Sequence, residues 1–279
     1  MSSKEKHHQT NEEGQDAMSF WSHLEELRGH LFRSAIAIFL LAVGAFIAKD
    51  IVFDHIILAP KEPYFITNRA FCYLAEMLSA PALCINQKPV QIINIELAGQ
   101  FKTHIIVSII VGIIVAFPFI LWEFWKFIKP ALHPREKANS RGAVFVTSLL
   151  FISGVCFSYF LIAPLTINFL GSYQVSAMVA NQIALRSYIT TVTMVTFATG
   201  IVFELPVIVY FLSRVGLLTP EFMKKNRKTA FILIIALSAI ITPPDVFSQI
   251  LVGIPLYVLY EISIGISKRV NKQREEEEI

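Results

Sequence analysis

Six apolar stretches, each separated from the next by a polar or charged segment, set the pattern of this chain. Residues 1–18 are polar without periodicity, and a disordered tail is expected there. The apolar stretches cover about 29–51 (core 34–48), 101–121, 143–164, 188–212, 229–242 and 246–266. Five of them are long enough to cross a hydrocarbon core of about 30 Å as helices. The fifth in order is shorter: at about 1.5 Å per residue it covers about 21 Å, so a thinned bilayer or shielding partner helices are expected around it. Residues 52–100 form a long connection holding Pro60, Pro63, Pro81 and Pro89. Pro118, Pro164, Pro206 and Pro255 fall within the apolar runs, where a missing backbone donor is expected to break or bend a helix. The fold class expected is an all-α membrane protein, with six transmembrane helices in a bent, concave bundle.

Just before the first run stands Ser22-His23-Leu24-Glu25-Glu26-Leu27-Arg28. Ser22 followed by Glu25 is a capping-box pattern, which starts a helix by satisfying orphan N–H groups. Leu24, Leu27 and Leu31 give that helix one apolar stripe. Glu26 points away from the stripe, with His30 and Arg33 following on its polar side. Such a helix lies along a membrane surface and then turns into the bilayer, holding a carboxylate at the water boundary.

Composition agrees with the pattern: 54% hydrophobic and 16% charged is not a soluble balance. The first 20 residues are polar and no small-residue cleavage site follows the first run, so that run is expected to act as an uncleaved insertion signal. With the N-terminus inside, the inner segments carry 18 Lys plus Arg and the outer ones 6. The positive-inside rule then puts both termini in the cytoplasm and residues 52–100 outside. The domain organisation expected is the tail 1–18, a six-span domain 19–270 and an acidic cytoplasmic tail 271–279 ending in Glu275–Glu278. No metalloprotease, P-loop or nucleophile-elbow motif occurs, and the three cysteines have no zinc spacing. No enzyme, metal, cofactor or nucleic-acid partner is expected.

Several residues carry candidate chemistry. Glu204 sits inside the fourth run, where an ionised carboxylate is costly; it either bonds within the chain or contacts a partner's membrane helix. Glu261 in the sixth run is similar, but close enough to the end to snorkel. Glu26 and Glu136 stand at the inner mouths of the first and third runs, with Arg28 and Arg135 beside them. Two carboxylates on rigid elements suit paired guanidinium groups, although either acid alone reads as an ordinary surface residue. Trp122, Phe124, Trp125, Phe127 and Pro130-Ala131-Leu132 form either an aromatic belt at the headgroups or an apolar wall beside those acids. In Thr242-Pro243-Pro244-Asp245-Val246-Phe247-Ser248-Gln249 the prolines force a turn, and Asp245 or Ser248 caps the next helix. Cys72 and Cys84 both lie in the outer loop, as a disulfide in an oxidising periplasm or as two free thiols. Cys156 reads as packing.

These motifs carry a family resemblance. Ser22–Arg28, Pro130-Ala131-Leu132 with Glu136 downstream, Phe203-Glu204-Leu205-Pro206-Val207, Thr242–Gln249 and Leu259-Tyr260-Glu261 resemble, in order, the motifs of TatC, the multi-spanning receptor subunit of the twin-arginine protein translocase. The resemblance spans about residues 20–270; His133-Pro134 and the long outer loop depart from the usual pattern. It implies that Glu26 and Glu136, with Leu24, Arg28, Trp125, Phe127 and Pro130 around them, bind the signal peptide of folded cargo. It further implies contacts of Glu204, Pro206, Asp245, Gln249 and Glu261 with single-span subunits of the TatA and TatB type, self-assembly in the cytoplasmic membrane, and drive by the proton-motive force. A proton-coupled secondary transporter using Glu204 and Glu261 is the competing expectation, although no inverted repeat is visible. An intramembrane enzyme would need a mid-span nucleophile or metal set, and the seven histidines lie in tails, loops and run ends.

Overall fold

The computed structural model describes residues 6–87, 90–128, 140–176, 178, 181–242 and 246–278, with side chains from Glu25 onward except at 82, 128, 140–141, 247, 275 and 277–278. Helix α1 (Lys6–Ile47) leads through a wide π-type turn (Ile51–Ile57) and a short 3-10 turn (Ala59–Lys61) to α2 (Ile66–Met77). A second 3-10 turn (Pro81–Leu83) and strand β1 (Ile92–Ile93) precede α3 (Gly99–Ile128). Next come α4 (Ser140–Phe157), a π-type segment (Ser158–Ile162) and α5 (Ala163–Ser172). Strand β2 (Ile183–Ala184) leads into α6 (Leu185–Val202) and α7 (Leu205–Arg214), followed by α8 (Pro220–Lys225), α9 (Arg227–Ile241) and α10 (Val246–Glu278).

Among the described residues, five segments are long and apolar enough to cross a membrane: Glu25–Ile47, Gly99–Phe127, Gly142–Ser172, Leu185–Arg214 and Ser248–Arg274. Helix α9, with 15 residues, spans only about 22 Å. It corresponds to the short fifth stretch.

Local chemistry explains where these helices bend, end or continue. The third stretch does not stop at Pro164; it runs on to Ser172, because Pro164 sits in the first turn of α5, where no N–H is needed. The π-type segment Ser158–Ile162 takes up the register change before it. The fourth stretch is interrupted at Phe203–Glu204, with Pro206 in the first turn of α7. Pro118 and Pro255 lie inside α3 and α10 without ending either helix, so of the break or bend expected at each proline these two give no break. Buried helices tolerate such prolines when neighbours re-satisfy the freed carbonyl. Helix α1 is continuous from Lys6, so the Ser22 capping box lies within it rather than at its start. The acidic run closes α10, where Lys272 and Glu276 pair at 3.7 Å across one helical turn.

Helices α1 and α3 form the largest pairing, and their backbones nearly touch. A Cβ at Gly112 would meet the Ala42 Cβ at 2.9 Å, so only glycine allows this approach. Gly200 plays the same part between α6 and α4, against the Phe151 ring. Ile162, Val195, Ile234, Val252 and Leu256 form one buried cluster where α6, α9 and α10 meet the π-type segment.

The long connection is a packed cap. Fully buried Asn68 donates to the carbonyls of Pro60 (3.0 Å) and Glu62 (2.8 Å) and accepts from Asn86 (3.1 Å). Asn86 also donates to the Pro164 carbonyl (3.0 Å), and its backbone N–H donates to Asn168 Oδ1 (3.0 Å). Its φ of 50° is a left-handed conformation that asparagine adopts more readily than most residues. The Tyr159 and Tyr188 hydroxyls donate to the carbonyls of Ile56 and Ile57, and β1 pairs in parallel with β2, Ile92 opposite Ile183.

Candidate functional site

Glu26 and Arg28 are exposed on α1, at the end of the bundle that carries the basic segments. The Leu24 side chain, Pro130 and Glu136 lie outside the described residues, as does Asp245. One helical turn beyond Glu26, His30 reaches across to α3. Its Nδ1–H donates to Glu123 Oε2 at 2.7 Å, and Arg33 Nη1 donates to the same oxygen at 3.2 Å. Lys126 Nζ donates to Glu123 Oε1 at 2.8 Å. The Glu123 side chain is only 3% exposed, so a buried carboxylate is held by three cationic or potentially cationic groups from two helices. Fully bonded on both oxygens, such a group is tolerated in an apolar setting; left unpaired it would be expensive.

The aromatic residues divide between two neighbours. Phe127 meets the His30 ring edge-on at 6.2 Å between centroids. Trp125, two residues earlier and hence on the far side of α3, packs against Phe211 of α7 at 5.3 Å. Lys126 Nζ lies 5.5 Å from the centre of the Trp122 ring. Phe127 thus accompanies α1 and the Glu123 cluster, and Trp125 does not.

The remaining candidates lie apart. Glu204 is buried at the α6–α7 break, and neither of its carboxyl oxygens has a hydrogen-bond partner among the described residues. Pro206 is buried beside it. Glu261 accepts from Arg227 Nη2 at 2.7 Å, which ties α10 to the start of α9. Gln249 Nε2 donates to the Ile235 carbonyl at 3.0 Å, joining the first turn of α10 to the middle of α9. Cys72 and Cys84 are joined as a disulfide within the cap, with Cα atoms 4.0 Å apart. Cys156 is exposed on the surface of α4 rather than packed.

Sequence reasoning missed Glu123. It counted the residue to the loop after position 121, whereas α3 continues to Ile128 and buries it. The available signal was an acid among Trp122, Phe124 and Trp125 with Lys126 three residues on. The reasoning that singled out Glu204 applies equally to it.

The family described as Sec-independent protein translocase protein (TatC) matches residues 22–255. The TatC of Blattabacterium sp. subsp. Periplaneta americana is 39% identical over 92% of this chain and 97% of its own length. That of Desulforapulum autotrophicum is 33% identical over 93% of this chain and 87% of its own. Among solved structures, a crystal structure of the twin arginine translocase receptor TatC covers 89% of this chain and 99% of its own at 34% identity, with a TM-score of 0.65. A second, in the detergent DDM, gives a TM-score of 0.70 at 33% identity, covering 88% of this chain and 99% of its own.

Proposed function

Because the chain belongs to the TatC family of Sec-independent protein translocase proteins, we propose that it is the subunit that receives twin-arginine signal peptides. In this reading Glu26 and Glu136 take the two arginines at the cytoplasmic face, each guanidinium bonding a carboxylate bidentately. The residues after the arginines pack on Phe127 and its neighbours, and the apolar segment of the peptide follows α1 and α3 into the bilayer. Helix α9 is the fifth of six spans, too short for a full bilayer, and both termini are cytoplasmic. Single-span subunits of the TatA and TatB type dock beside α9 and Glu204, so that the protein nucleates the export complex in the cytoplasmic membrane. The proton-motive force drives transport.

The observation that carries the reading is the pairing of an exposed acid with a rigid mount: Glu26 is exposed on a helix bonded to α3 one turn away. A proton-coupled transporter using Glu204 and Glu261 is less well supported, since Glu261 is committed to Arg227. The test is export in cells. Glu26→Ala is expected to abolish export of a folded twin-arginine cargo without altering small-solute flux. Undiminished export would sink the reading, and a change in solute flux alone would favour the transporter.

A further inference from the structure

We propose that Glu123 is a positioning residue for twin-arginine recognition: bonded to His30 and Arg33 of α1 and to Lys126 of α3, it sets the register in which Glu26 faces the end of α3. This rests on the receptor function proposed above and assigns to it a residue that does not touch the peptide.

Three features carry the inference. The first is placement. Glu26 and His30 are four residues apart on α1, so they share a face about 6 Å apart along the axis. On α3, Glu123 lies five residues before the last helical residue, Ile128, beyond which the chain continues toward Glu136. One carboxylate therefore joins α1, which carries Glu26, to the last turns of α3.

The second feature is saturation. Oε1 accepts from Lys126, Oε2 accepts from His30 and Arg33, and the side chain is 3% exposed. With two permanent cations already on it and its side chain buried, Glu123 offers an incoming guanidinium neither an accessible oxygen nor a favourable field. It is not a third receptor acid.

The third is what the rest of the interface lacks. Between the ends of the α1–α3 contact the surfaces are small and apolar, as at Ala42 and Gly112, and such contacts are non-directional. Among the described residues, directional bonds between α1 and α3 stand toward the two ends. His104 Nε2–H donates to the Phe46 carbonyl at 3.0 Å, with its ring stacked on Phe46 at 3.9 Å; about 28 Å along α3, the Glu123 cluster makes the other. Loss of the second would leave α1 free to turn or slide at the end where Glu26 stands, while the cap-side end stays pinned.

The experiment uses the full chain in nanodiscs, with spin labels at exposed Phe32 and Phe124 in one set and no labels in another. Affinities for a twin-arginine signal peptide and its twin-lysine counterpart are measured on wild type, Glu123→Ala, Glu123→Gln and the swapped pair His30→Glu with Glu123→His. Glu123→Ala is expected to lose about tenfold in affinity for the arginine peptide, converging on the lysine peptide, and to broaden the label distance. Glu123→Gln keeps the shape without the charge and is expected to lose part of the preference. The swapped pair restores an anion–cation contact and is expected to recover most of it. Wild-type preference for arginine with unchanged preference in Glu123→Ala would overturn the inference and leave the receptor reading standing. Should Glu123→Ala not assemble, full preference in Glu123→Gln would overturn it equally. A broadened distance with undiminished preference would also overturn it, because the residue would then be structural only. Absence of any arginine preference in wild type would overturn the receptor reading itself.

Discussion

Two carboxylates are buried among the described residues of this protein, and the chain treats them in opposite ways. Glu123 is bonded on both oxygens, whereas neither oxygen of Glu204 has a partner among the described residues. A buried, unpaired polar group costs about 1–3 kcal/mol, more if charged. Glu204→Leu is therefore expected to raise the thermal unfolding temperature in detergent while abolishing co-purification of the single-span subunits. A lower melting temperature would show that Glu204 has a stabilising partner within the chain. Glu204 was legible because its flanks, Phe203 and Leu205, are plainly apolar. Glu123 was not, because the apolar pattern thins around Trp122 and Lys126, and only the helix end at Ile128 reveals its burial. Its partners His30 and Arg33 stand about 90 residues away, beyond the reach of local periodicity.

At the scale of elements, apolar periodicity placed the long helices well, since it reports the side chains that face lipid or neighbours. It did not reveal the π-type segment before α5 or the order of the outer connection, which depend on tertiary hydrogen bonds such as those of Asn68 and Asn86. The cap supplies two predictions. Asn86→Ala would leave the Asn68 side chain and the Pro164 carbonyl each short of a bond, costing about 2–3 kcal/mol in thermal unfolding. An unchanged melting curve would contradict that packing. The Cys72–Cys84 bond closes a short loop, which by chain entropy is worth about 3 kcal/mol. Reduction, or Cys72→Ser with Cys84→Ser, is expected to expose the cap to limited proteolysis without changing peptide affinity. The cap lies at the opposite end from Glu26, so a parallel loss of affinity would mean that the two ends are coupled.

For the whole molecule, the proposed arrangement follows the basic segments and has the cap outside and Glu26 inside. In a background lacking Cys156, membrane-impermeant thiol reagents are expected to label a cysteine at Ile95 from the periplasm and one at Leu217 only from the cytoplasm; the reverse pattern would invert the topology. Peptide binding decides the receptor reading. A twin-arginine signal peptide and its twin-lysine counterpart are titrated onto wild type and onto Glu26→Ala with Glu136→Ala in nanodiscs. Tight binding that requires both the arginines and the carboxylates is expected. Equal binding of the two peptides, or full binding by the double variant, would contradict it.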